Sequence, residues 1–346
     1  MLPPSLGSVT SVATQAELLE VDGREVKVGN PDKIFFPADT IMKLELVKYF
    51  IAVGSGALNG ALNRPTTLHR FPDGVAGEDF YQKRIPKHRP DWIESTTIRF
   101  PSGRSAEMLR VVDVAHIAWA INLGCLEINP WPVRAADVDH PDELRIDLDP
   151  TPEIPFADVR DVTLVLKEVL DEHGLTGWPK TSGKRGMHVL VRVVPEWEFT
   201  EVRRAALAIA REVERRAPGV ATTAWWKEER VGVFLDFNQN ARDRTVASAY
   251  SVRPMEDARV SFPITWDLVA DVEPETFTVR TVPDLFATNG DAHAGIDDSM
   301  APLDSVLEMA LEDERGGLGD APWPPHFPKM KNEPKRVQPS KAKKED

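Results

Sequence analysis

The chain has 346 residues, 42% of them hydrophobic, and a formal net charge of -13 at pH 7, so it is long enough for one large or two ordinary domains with apolar cores. Its single cysteine, Cys125, excludes disulfide frameworks and cysteine-rich zinc sites within the chain. No segment approaches the roughly 20 apolar residues that cross a bilayer, and the first residues lack a basic stretch followed by an apolar one. These features predict a cytoplasmic protein.

The acidic balance taken alone argues against a nucleic-acid partner, because phosphate backbones attract basic surfaces. The cations, however, gather between Lys83 and Arg110 and again between Lys329 and Lys344, whereas the acids lie mostly around 137–172 and 271–313. This distribution allows a basic groove on an acidic body. Composition alone favours the simpler interpretation, an ordinary charged surface.

The predicted elements begin with a flexible N-terminal segment over 1–20. A folded domain follows over 21–300, and 301–346 form a C-terminal extension with a basic, disordered tail. In the first third of the domain, short segments such as TLHRF, DFYQKRI and TTIRF lie between turn signals. They predict a strand-rich region.

Strands and helices alternate in the middle of the chain. Strands are predicted at 143–149, 188–194 and 231–237, where branched and aromatic residues are bounded by Gly or Pro. One helix is predicted over 156–173 with Gly174 as its C-cap, and another from Thr200, as N-cap, to Arg216. This order predicts an α/β or α+β fold with helices packed on a sheet.

Two aspartates share one face of the first of these strands. In ELRIDLDP, Asp147 and Asp149 alternate with Ile146 and Leu148, so both carboxylates point to the same side, about 7 Å apart along the strand. Such a pair suits two hard cations, Mg²⁺ or Mn²⁺, about 3.5 to 4 Å apart. An Asp-x-Asp also occurs on solvated strand faces, so the pair needs support from other motifs.

A third carboxylate, Asp236, lies in the apolar stretch VGVFLDFNQN. Burial there is costly unless a metal ion or another cation pairs with the carboxylate. Asp236 therefore either completes a three-aspartate metal site or caps a turn through Asn238. The stretch itself leaves both interpretations open.

The segment PKTSGKRGMHV places a hydroxyl, glycines, cations and a histidine between a helix and a strand. These groups suit the oxygens of a triphosphate. The segment is not a Walker A loop, because five residues separate Gly177 from Gly183 and Arg185 follows Lys184. Taken alone, it is equally typical of a turn with surface cations.

Together, RIDLDP, TSGKRGMHV, VFLDFNQN and AYSVRP resemble the polymerase domain of bacterial end-joining ligase D, in the archaeo-eukaryotic primase superfamily. The likeness runs from about residue 25 to 300 and includes GNPDKIFFP and LHRFPDGVAGEDFYQKRIP. It implies two β-sheets flanked by helices around a central catalytic cleft, over the domain 21–300. The implied activity is template-directed nucleotidyl transfer by a DNA repair primase-polymerase.

The resemblance assigns roles to individual residues. Two divalent ions, Mn²⁺ in preference to Mg²⁺, would be held by the catalytic residues Asp147, Asp149 and Asp236. The incoming nucleoside triphosphate would be bound by Ser182, Lys184, Arg185, His188, Gln239, Arg253, Arg230 and Asn129. The template and the 5′-phosphate beyond a gap would be bound by Lys33, Lys43, Phe80, Tyr81, Arg70 and Lys83. One of the two aromatic residues in the last group is expected to pack in the core instead.

One position departs from the family pattern. LEINPW has Asn129 where a histidine usually precedes Pro-Trp. Asparagine forms hydrogen bonds but carries no positive charge. We therefore expect weaker phosphate contact or slower catalysis at this point.

The resemblance also implies partners and a setting. It implies ribonucleotide preference and the filling of short gaps that carry a 5′-phosphate, in excision repair or end joining. The sequence carries no ligase or nuclease module, which predicts a stand-alone member of the ligase C-associated Prim-PolC type. Such a protein would act near the nucleoid beside a separate ATP-dependent ligase, or with Ku, and not at a membrane. The alternatives are a catalytically weak or inactive module that binds gapped DNA for a ligase, and a metal-dependent phosphohydrolase.

Overall fold

A computed structural model describes residues 16–100, 102–324, 327–330 and 333–334. The helices within these ranges are α1 (Lys43–Ala52), α2 (Gly54–Asn59), α3 (Val114–Asn122), α4 (Phe156–Glu172), α5 (Phe199–Arg216), α6 (Val282–Asn289) and α7 (Asp304–Arg315). The strands are β1 (Glu17–Val21), β2 (Arg24–Val28), β3 (Ile34–Phe36), β4 (Ile41–Met42), β5 (Pro65–Arg70), β6 (Phe80–Gln82), β7 (Ser95–Arg99), β8 (Ser105–Arg110), β9 (Cys125–Pro130), β10 (Glu143–Pro150), β11 (Gly177–Thr181), β12 (Met187–Arg192), β13 (Ala221–Thr222) and β14 (Val233–Leu235). Among the described residues, no helix combines the length and apolar character needed to span a membrane.

The first sheet is built around β10, with strand order β11-β12-β10-β14-β13. β10 pairs antiparallel with β12 on one side and with β14 on the other. Leu144, Ile146 and Leu148 on one face of β10 are buried in a core shared with α4 and α5. The opposite face of β10 carries Asp147 and Asp149. The predicted alternation of this strand is therefore confirmed, and burial of its apolar face fixes the direction of the aspartates.

The second sheet has the order β6-β5-β8-β7, with β9 also paired to β5. Its apolar residues, such as Leu68 and Ile128, form a separate core with buried residues of α1 and α3. The strand-rich character predicted for the first third of the domain is confirmed. Two sheets flanked by helices agree with the predicted α/β architecture.

Several predicted boundaries differ from the structure. α5 begins one residue early because Glu198, not Thr200, is its N-cap and forms a reciprocal capping box with Glu201. β14 ends at Leu235, so Asp236 begins a 3₁₀ turn instead of lying inside a strand. β1 already starts at Glu17, inside the segment predicted to be flexible, whereas residues 1–15 lie outside the described residues.

The C-terminal extension is more ordered than predicted over the part that the structure describes. α7 contributes Val306 and Ala310 to the core of the first sheet. Trp323 and Phe327 form a small apolar cluster with Ala241. The sequence was expected to form no core here because prolines and charges dominate it, yet these two aromatic residues are 3% and 7% exposed. Most of the basic tail, from 335 to 346, lies outside the described residues.

Candidate active site

Three aspartates meet where β10 and β14 run side by side. Asp147 and Asp149 lie on one face of β10, and Leu148 between them pairs with Leu235 of β14. Asp236 follows Leu235 directly, and its backbone N–H donates to the carbonyl of Asp147 at 2.8 Å. The antiparallel pairing therefore brings the third aspartate beside the first.

The turn from Asp236 to Asn240, here called the aspartate turn, orients the third carboxylate. Asp236 Oδ1 accepts a hydrogen bond from the backbone N–H of Asn238 at 3.0 Å, which is the N-cap arrangement of this 3₁₀ turn. The Gln239 amide donates to Asp236 Oδ2 at 3.0 Å and to Asp147 Oδ2 at 3.3 Å. The two interpretations of Asp236 are thus compatible, because one oxygen caps the turn and the other faces Asp147.

All three carboxylates have pKa values above the ordinary value. Burial, opposed by Lys180 and Arg253, raises the pKa of Asp147 to about 6. Burial and the neighbouring Asp147 raise the pKa of Asp236 to about 6 and also raise the pKa of Asp149. Burial is the largest cause at all three carboxylates, and the like charge of Asp147 adds to it at Asp149 and Asp236. A cation beside these carboxylates would act in the opposite sense.

A buried lysine and histidine lie behind Asp147. His188 is opposite Asp147 in the register of β10 and β12, and its Nε2 lies 3.3 Å from Asp147 Oδ1. Its Nδ1 contacts Lys180 Nζ at 2.8 Å. Lys180 is fully buried and also contacts the Ala247 carbonyl and the Ser261 hydroxyl. Burial lowers the pKa of both Lys180 and His188 well below their usual ranges, with Arg253 adding to the shift in each case.

The loop between β11 and β12 is folded tightly against the end of β10. Ser182 Oγ accepts hydrogen bonds from the backbone N–H groups of Lys184 and Gly186, both at 3.1 Å. A Cβ atom on Gly186 would lie 2.1 Å from the Leu148 carbonyl oxygen. Only glycine therefore allows the loop to approach the aspartate strand so closely. Arg185 points away from the loop interior and donates to backbone carbonyls at Thr151, Pro152 and Ile154.

The opposite wall of the cleft comes from the second sheet. Glu127 of β9 forms an ion pair with Arg253, whose Nε lies 3.0 Å from Glu127 Oε1. Burial and Arg253 lower the pKa of Lys184, with Glu127 and Asp149 acting in the opposite sense. Lys184 is therefore within electrostatic range of Glu127 on the second sheet and Asp149 on the first.

Asn129, where the resemblance predicts a histidine, is 3% exposed. It lies on β9 opposite Thr67, and its side-chain nitrogen has no hydrogen-bond partner. An unpaired buried N–H costs about 1–3 kcal/mol. The structure thus leaves a neutral donor at this position, available to an acceptor.

As the side chains stand, no group of three or more His, Cys, Asp or Glu residues in the described part of the chain is arranged so that it could hold a metal ion. At the aspartates, the Gln239 amide occupies one oxygen each of Asp147 and Asp236. The donor set still fits divalent ions, because carboxylates are hard oxygen ligands and three of them adjoin on β10 and directly after β14. An ion would take the place of this amide.

The model of the LigD primase-polymerase domain matches residues 42–293. The chain belongs to this family. Among curated relatives, it is 29% identical over 315 residues to the multifunctional non-homologous end joining protein LigD of Mycolicibacterium smegmatis, covering 90% of this chain and 41% of the relative. It is 31% identical over 262 residues to the bifunctional end joining protein LigD of Bacillus subtilis, covering 75% of this chain and 42% of the relative. The chain therefore spans less than half of these relatives.

A solved structure supports the same assignment. The polymerase domain of Mycobacterium tuberculosis ligase D in complex with DNA matches with a TM-score of 0.75 and 26% sequence identity. The match covers 79% of this chain and 98% of the solved chain. The resemblance to the LigD polymerase domain and the predicted fold are both confirmed.

Three of the cations predicted to bind the 5′-phosphate lie close to one another. The Lys43 backbone N–H donates to the Lys33 carbonyl at 2.8 Å, so the two lysines are neighbours. Burial, together with Lys33 and Arg70, lowers the pKa of Lys43 to about 8. Lys33 Nζ contacts Asp73, and Arg70 donates to the Leu123 carbonyl. The structure therefore brings three of the predicted cations together.

The remaining predicted residues are distributed around the cleft. Phe80 and Tyr81 on the edge strand β6 are 44% and 60% exposed, so the expectation that one packs in the core is wrong. β6 pairs with β5 alone, so its other edge is open to solvent. Lys83 is paired with Asp243 at 2.6 Å. Arg230 lies over the Phe234 ring and donates to the carbonyls of the loop before it.

Sequence analysis missed two groups in this site. Lys180 was part of a quoted motif but received no role, although burial and three polar contacts give it one. His69 lies between two carboxylates, with Nδ1 3.0 Å from Glu127 and Nε2 2.6 Å from Asp79. Its ring stacks on Tyr81, with centroids 4.0 Å apart. No local sequence signal indicates such a network, because its members come from three separate segments.

Proposed function

We propose that this protein is a DNA repair primase-polymerase that extends a primer strand across short gaps by template-directed nucleotidyl transfer. The observation that carries the proposal is the group of Asp147, Asp149 and Asp236 on and directly after adjoining strands, with Arg253 and Lys184 within electrostatic range of it. Membership of the LigD primase-polymerase family supports the same reaction. The relatives named above are end joining proteins, and the matched solved domain is in complex with DNA.

In the proposed mechanism, Asp147, Asp149 and Asp236 hold two divalent ions, which would lower the pKa of the primer 3′-hydroxyl and neutralise charge on the triphosphate and the departing pyrophosphate. The protein groups then position the reactants. Lys184 and Arg253 supply positive charge to the triphosphate, while the Asn129 amide offers a neutral hydrogen bond. Ser182 holds the loop in shape and contacts the phosphates only if its hydroxyl turns outward.

Arg185 and Arg230 are proposed nucleotide contacts that need a change of partner. Arg185 now donates to carbonyls between Thr151 and Ile154, and Arg230 to carbonyls at Ala224 and Trp225. Carbonyls are weaker partners for a guanidinium than phosphate oxygens are. Both arginines are therefore free to exchange these contacts when a triphosphate enters.

The proposal is tested by extension of a labelled primer across a one- or two-nucleotide gap that carries a 5′-phosphate. Mn²⁺ and Mg²⁺, and ribo- and deoxyribonucleotides, are compared for the wild type and for a double variant with Asp147→Ala and Asp149→Ala. We expect extension by the wild type alone, fastest with Mn²⁺ and ribonucleotides. Tight gap binding without extension would favour the alternative, a module that recognises gapped DNA for a ligase. Release of inorganic phosphate without extension would favour a phosphohydrolase.

The cations Lys33, Lys43 and Arg70 are proposed to bind the 5′-phosphate on the far side of the gap. Their grouping supports this role, because three cations near one another are favoured when an anion joins them. Phe80 and Tyr81 are proposed to stack on bases beside this phosphate, which their exposure allows. Lys83 is held by Asp243 and would contact the template only by leaving this partner.

We predict that the 5′-phosphate contributes less to DNA affinity as pH rises through about 8. The pKa of Lys43 is lowered to about 8 by burial and by Lys33 and Arg70, so its charge is present below that pH and is lost above it. The dissociation constants of gapped DNA with and without the 5′-phosphate are compared at pH 7 and pH 9. Lys43→Met is expected to weaken phosphate recognition and remove its pH dependence, whereas Lys48→Met serves as the control. A phosphate contribution that is equal at both pH values would contradict the prediction.

The biological setting is also a proposal. The protein is proposed to act near the nucleoid in the ligase C-associated setting, with an ATP-dependent ligase sealing the nick that it leaves. Ku-directed end joining is the second candidate setting, supported by the names of the LigD relatives. A pull-down of purified ligase or Ku with and without gapped DNA distinguishes the two.

A further inference from the structure

A buried arginine joins the aspartate turn to a segment near the C-terminus. Arg203 lies on α5 and is 1% exposed. Its Nε donates to the Asn238 side-chain oxygen at 2.8 Å. Asn238 is the residue whose backbone N–H holds the Asp236 carboxylate. One side of the guanidinium therefore supports the turn that carries a proposed metal ligand.

The other side of the same guanidinium is held by the segment Asp320–Trp323, here called the C-terminal strap. Arg203 Nη1 donates to Asp320 Oδ1 at 2.7 Å, and Nη2 donates to the carbonyls of Ala321 and Pro322 at 3.0 and 3.2 Å. The Trp323 ring lies 4.1 Å from the guanidinium carbon. All three side-chain nitrogens of Arg203 thus have hydrogen-bond partners. The strap supplies the partners of two of them, Nη1 and Nη2.

The strap is itself fixed in place. Trp323 is 3% exposed, and its indole N–H donates to Asp320 Oδ2 at 2.7 Å. Its backbone N–H donates to Glu333 at 2.8 Å. The ring packs in the cluster with Ala241, the residue that directly follows the aspartate turn. The strap therefore touches the turn at a second point, independently of Arg203.

The turn is fixed from the opposite side by the sheet. Asn240 donates to the Arg145 carbonyl at 2.7 Å and accepts from the Arg145 N–H at 2.8 Å. This pair fastens the end of the turn to β10, two residues before Asp147. Arg203 donates to the side-chain amide of Asn238, which lies between this fixed end and β14. In the described part of the chain, no other side chain forms a hydrogen bond with this amide. Without this support, the only polar side-chain link among the described residues between the middle of the turn and β10 is the 3.3 Å contact of Gln239 with Asp147.

We infer that Arg203 and the C-terminal strap are positioning groups that hold the aspartate turn, and with it Asp236 and Gln239, in the arrangement needed for metal binding. The inference deepens the proposed function and rests on it for its catalytic meaning. The strap lies beyond residue 293, where the match to the LigD primase-polymerase model ends. The arrangement thus links a segment outside the family match to a residue at the centre of the site.

The strap can hold the turn through Arg203 because it is costly to leave a buried cation without partners. Burial lowers the pKa of Arg203, whereas Asp320 opposes this shift. If the strap is weakened, the guanidinium loses acceptors in a place that water does not reach, and it must turn outward to find them. Such a movement withdraws Nε from Asn238 and frees the middle of the turn. Groups that orient metal ligands typically change metal affinity or activity by roughly 10–100-fold when they are altered.

The test uses the full chain with Asp320→Asn, Trp323→Ala and, as the direct variant, Arg203→Met. Hydrogen–deuterium exchange of the metal-free proteins is followed by mass spectrometry in peptides that cover β14 and the aspartate turn. Glu172→Gln is the matched control, because it removes an ion pair between α4 and Arg216 of α5, about 20 Å along the helix from Arg203. We expect faster exchange in the turn peptides of the first three variants and no change in the control.

A second measurement separates positioning from simple stability. The Mn²⁺ concentration that gives half-maximal primer extension is expected to rise by roughly tenfold in Asp320→Asn and Trp323→Ala, with the dissociation constant for gapped DNA unchanged. Wild-type exchange in the turn peptides of both variants would overturn the inference. Faster exchange with an unchanged Mn²⁺ requirement would also overturn it, since the strap would then serve stability alone. If the wild type extends no primer, the proposed function fails, and the exchange result still decides whether the strap holds the turn.

Discussion

Replacing Asp147 with asparagine is expected to reduce primer extension by a factor on the order of 10³ or more, because a bound metal ion contributes several kcal/mol to such a reaction. Asparagine keeps the size of the side chain but not its charge, and a neutral amide is a poor ligand for a hard divalent ion. Extension is measured on the gapped substrate over a range of Mn²⁺ concentrations. No Mn²⁺ concentration is expected to restore the rate.

The same substitution is expected to stabilise the metal-free protein at neutral pH. The pKa of Asp147 is about 6 in the folded state, against an ordinary value of 3.8. The ionised carboxylate therefore opposes folding above pH 6, by about 1–3 kcal/mol. As pH falls from about 6 to about 4, the folded protein binds the proton first and this cost disappears. The stability advantage of Asp147→Asn should accordingly be largest at pH 8 and vanish near pH 4.

Urea unfolding in the presence of a chelator measures both parts of this prediction. The wild type is the reference for the variant at each pH, so titrating groups that do not interact with Asp147 cancel in the difference. Restored extension at high Mn²⁺, or a destabilised variant at pH 8, would count against the proposed role of Asp147. A structural aspartate would behave in the opposite way, as the next substitution illustrates.

Replacing Asp142 with asparagine is expected to destabilise the protein by about 3–5 kcal/mol, the usual cost of breaking a buried ion pair. Asp142 is 2% exposed and accepts from both terminal nitrogens of the fully buried Arg64, at 2.6 and 2.9 Å. It also accepts from Arg134 at 2.6 Å. Burial would raise the pKa of Asp142, but Arg64, Arg192 and Arg134 outweigh it and hold the pKa well below the ordinary range.

The pH dependence of this variant has the opposite sign. Because the folded pKa of Asp142 is depressed, its contribution to stability is present above the ordinary value of 3.8 and is lost as pH falls below it. The difference in the free energy of unfolding between the wild type and Asp142→Asn, measured with urea, should be largest at pH 7 and smaller in acid. The folded variant should still extend primers at low temperature, since Asp142 touches none of the three aspartates. A loss of less than about 1 kcal/mol would show that Arg64 finds other partners.

Local patterns predicted the elements that carry the site. The alternation in ELRIDLDP predicted that Asp147 and Asp149 share one face of the strand. The alternating leucine and isoleucine side chains are buried on the other face, so only one side is left for the carboxylates. Helical spacing gave α4 and α5 within one residue at each end. A lone carboxylate after an apolar strand identified Asp236, although the strand is shorter than expected. These features depend on neighbours within a few residues.

The supporting groups could not be predicted in this way. Lys180 contacts residues 67 and 81 positions away, and Arg203 contacts Asp320 at a distance of 117 positions. A lysine or arginine on an otherwise ordinary strand or helix is expected on the surface. Their burial depends on which segments fold over them. For the same reason, one of Phe80 and Tyr81 was expected to pack in the core, because nothing in the sequence indicates that β6 is an edge strand.

The contact between Lys180 and His188 determines which nitrogen of the imidazole carries the hydrogen. An ionised Asp147 lies 3.3 Å from His188 Nε2, so that nitrogen carries the hydrogen and Nδ1 is left to accept from Lys180. Burial, Lys180 and Arg253 keep the imidazole from gaining a second proton. His188 therefore stays neutral and directs its one N–H at Asp147. An acidic limb in the pH–rate profile would accordingly report the aspartates and not this histidine.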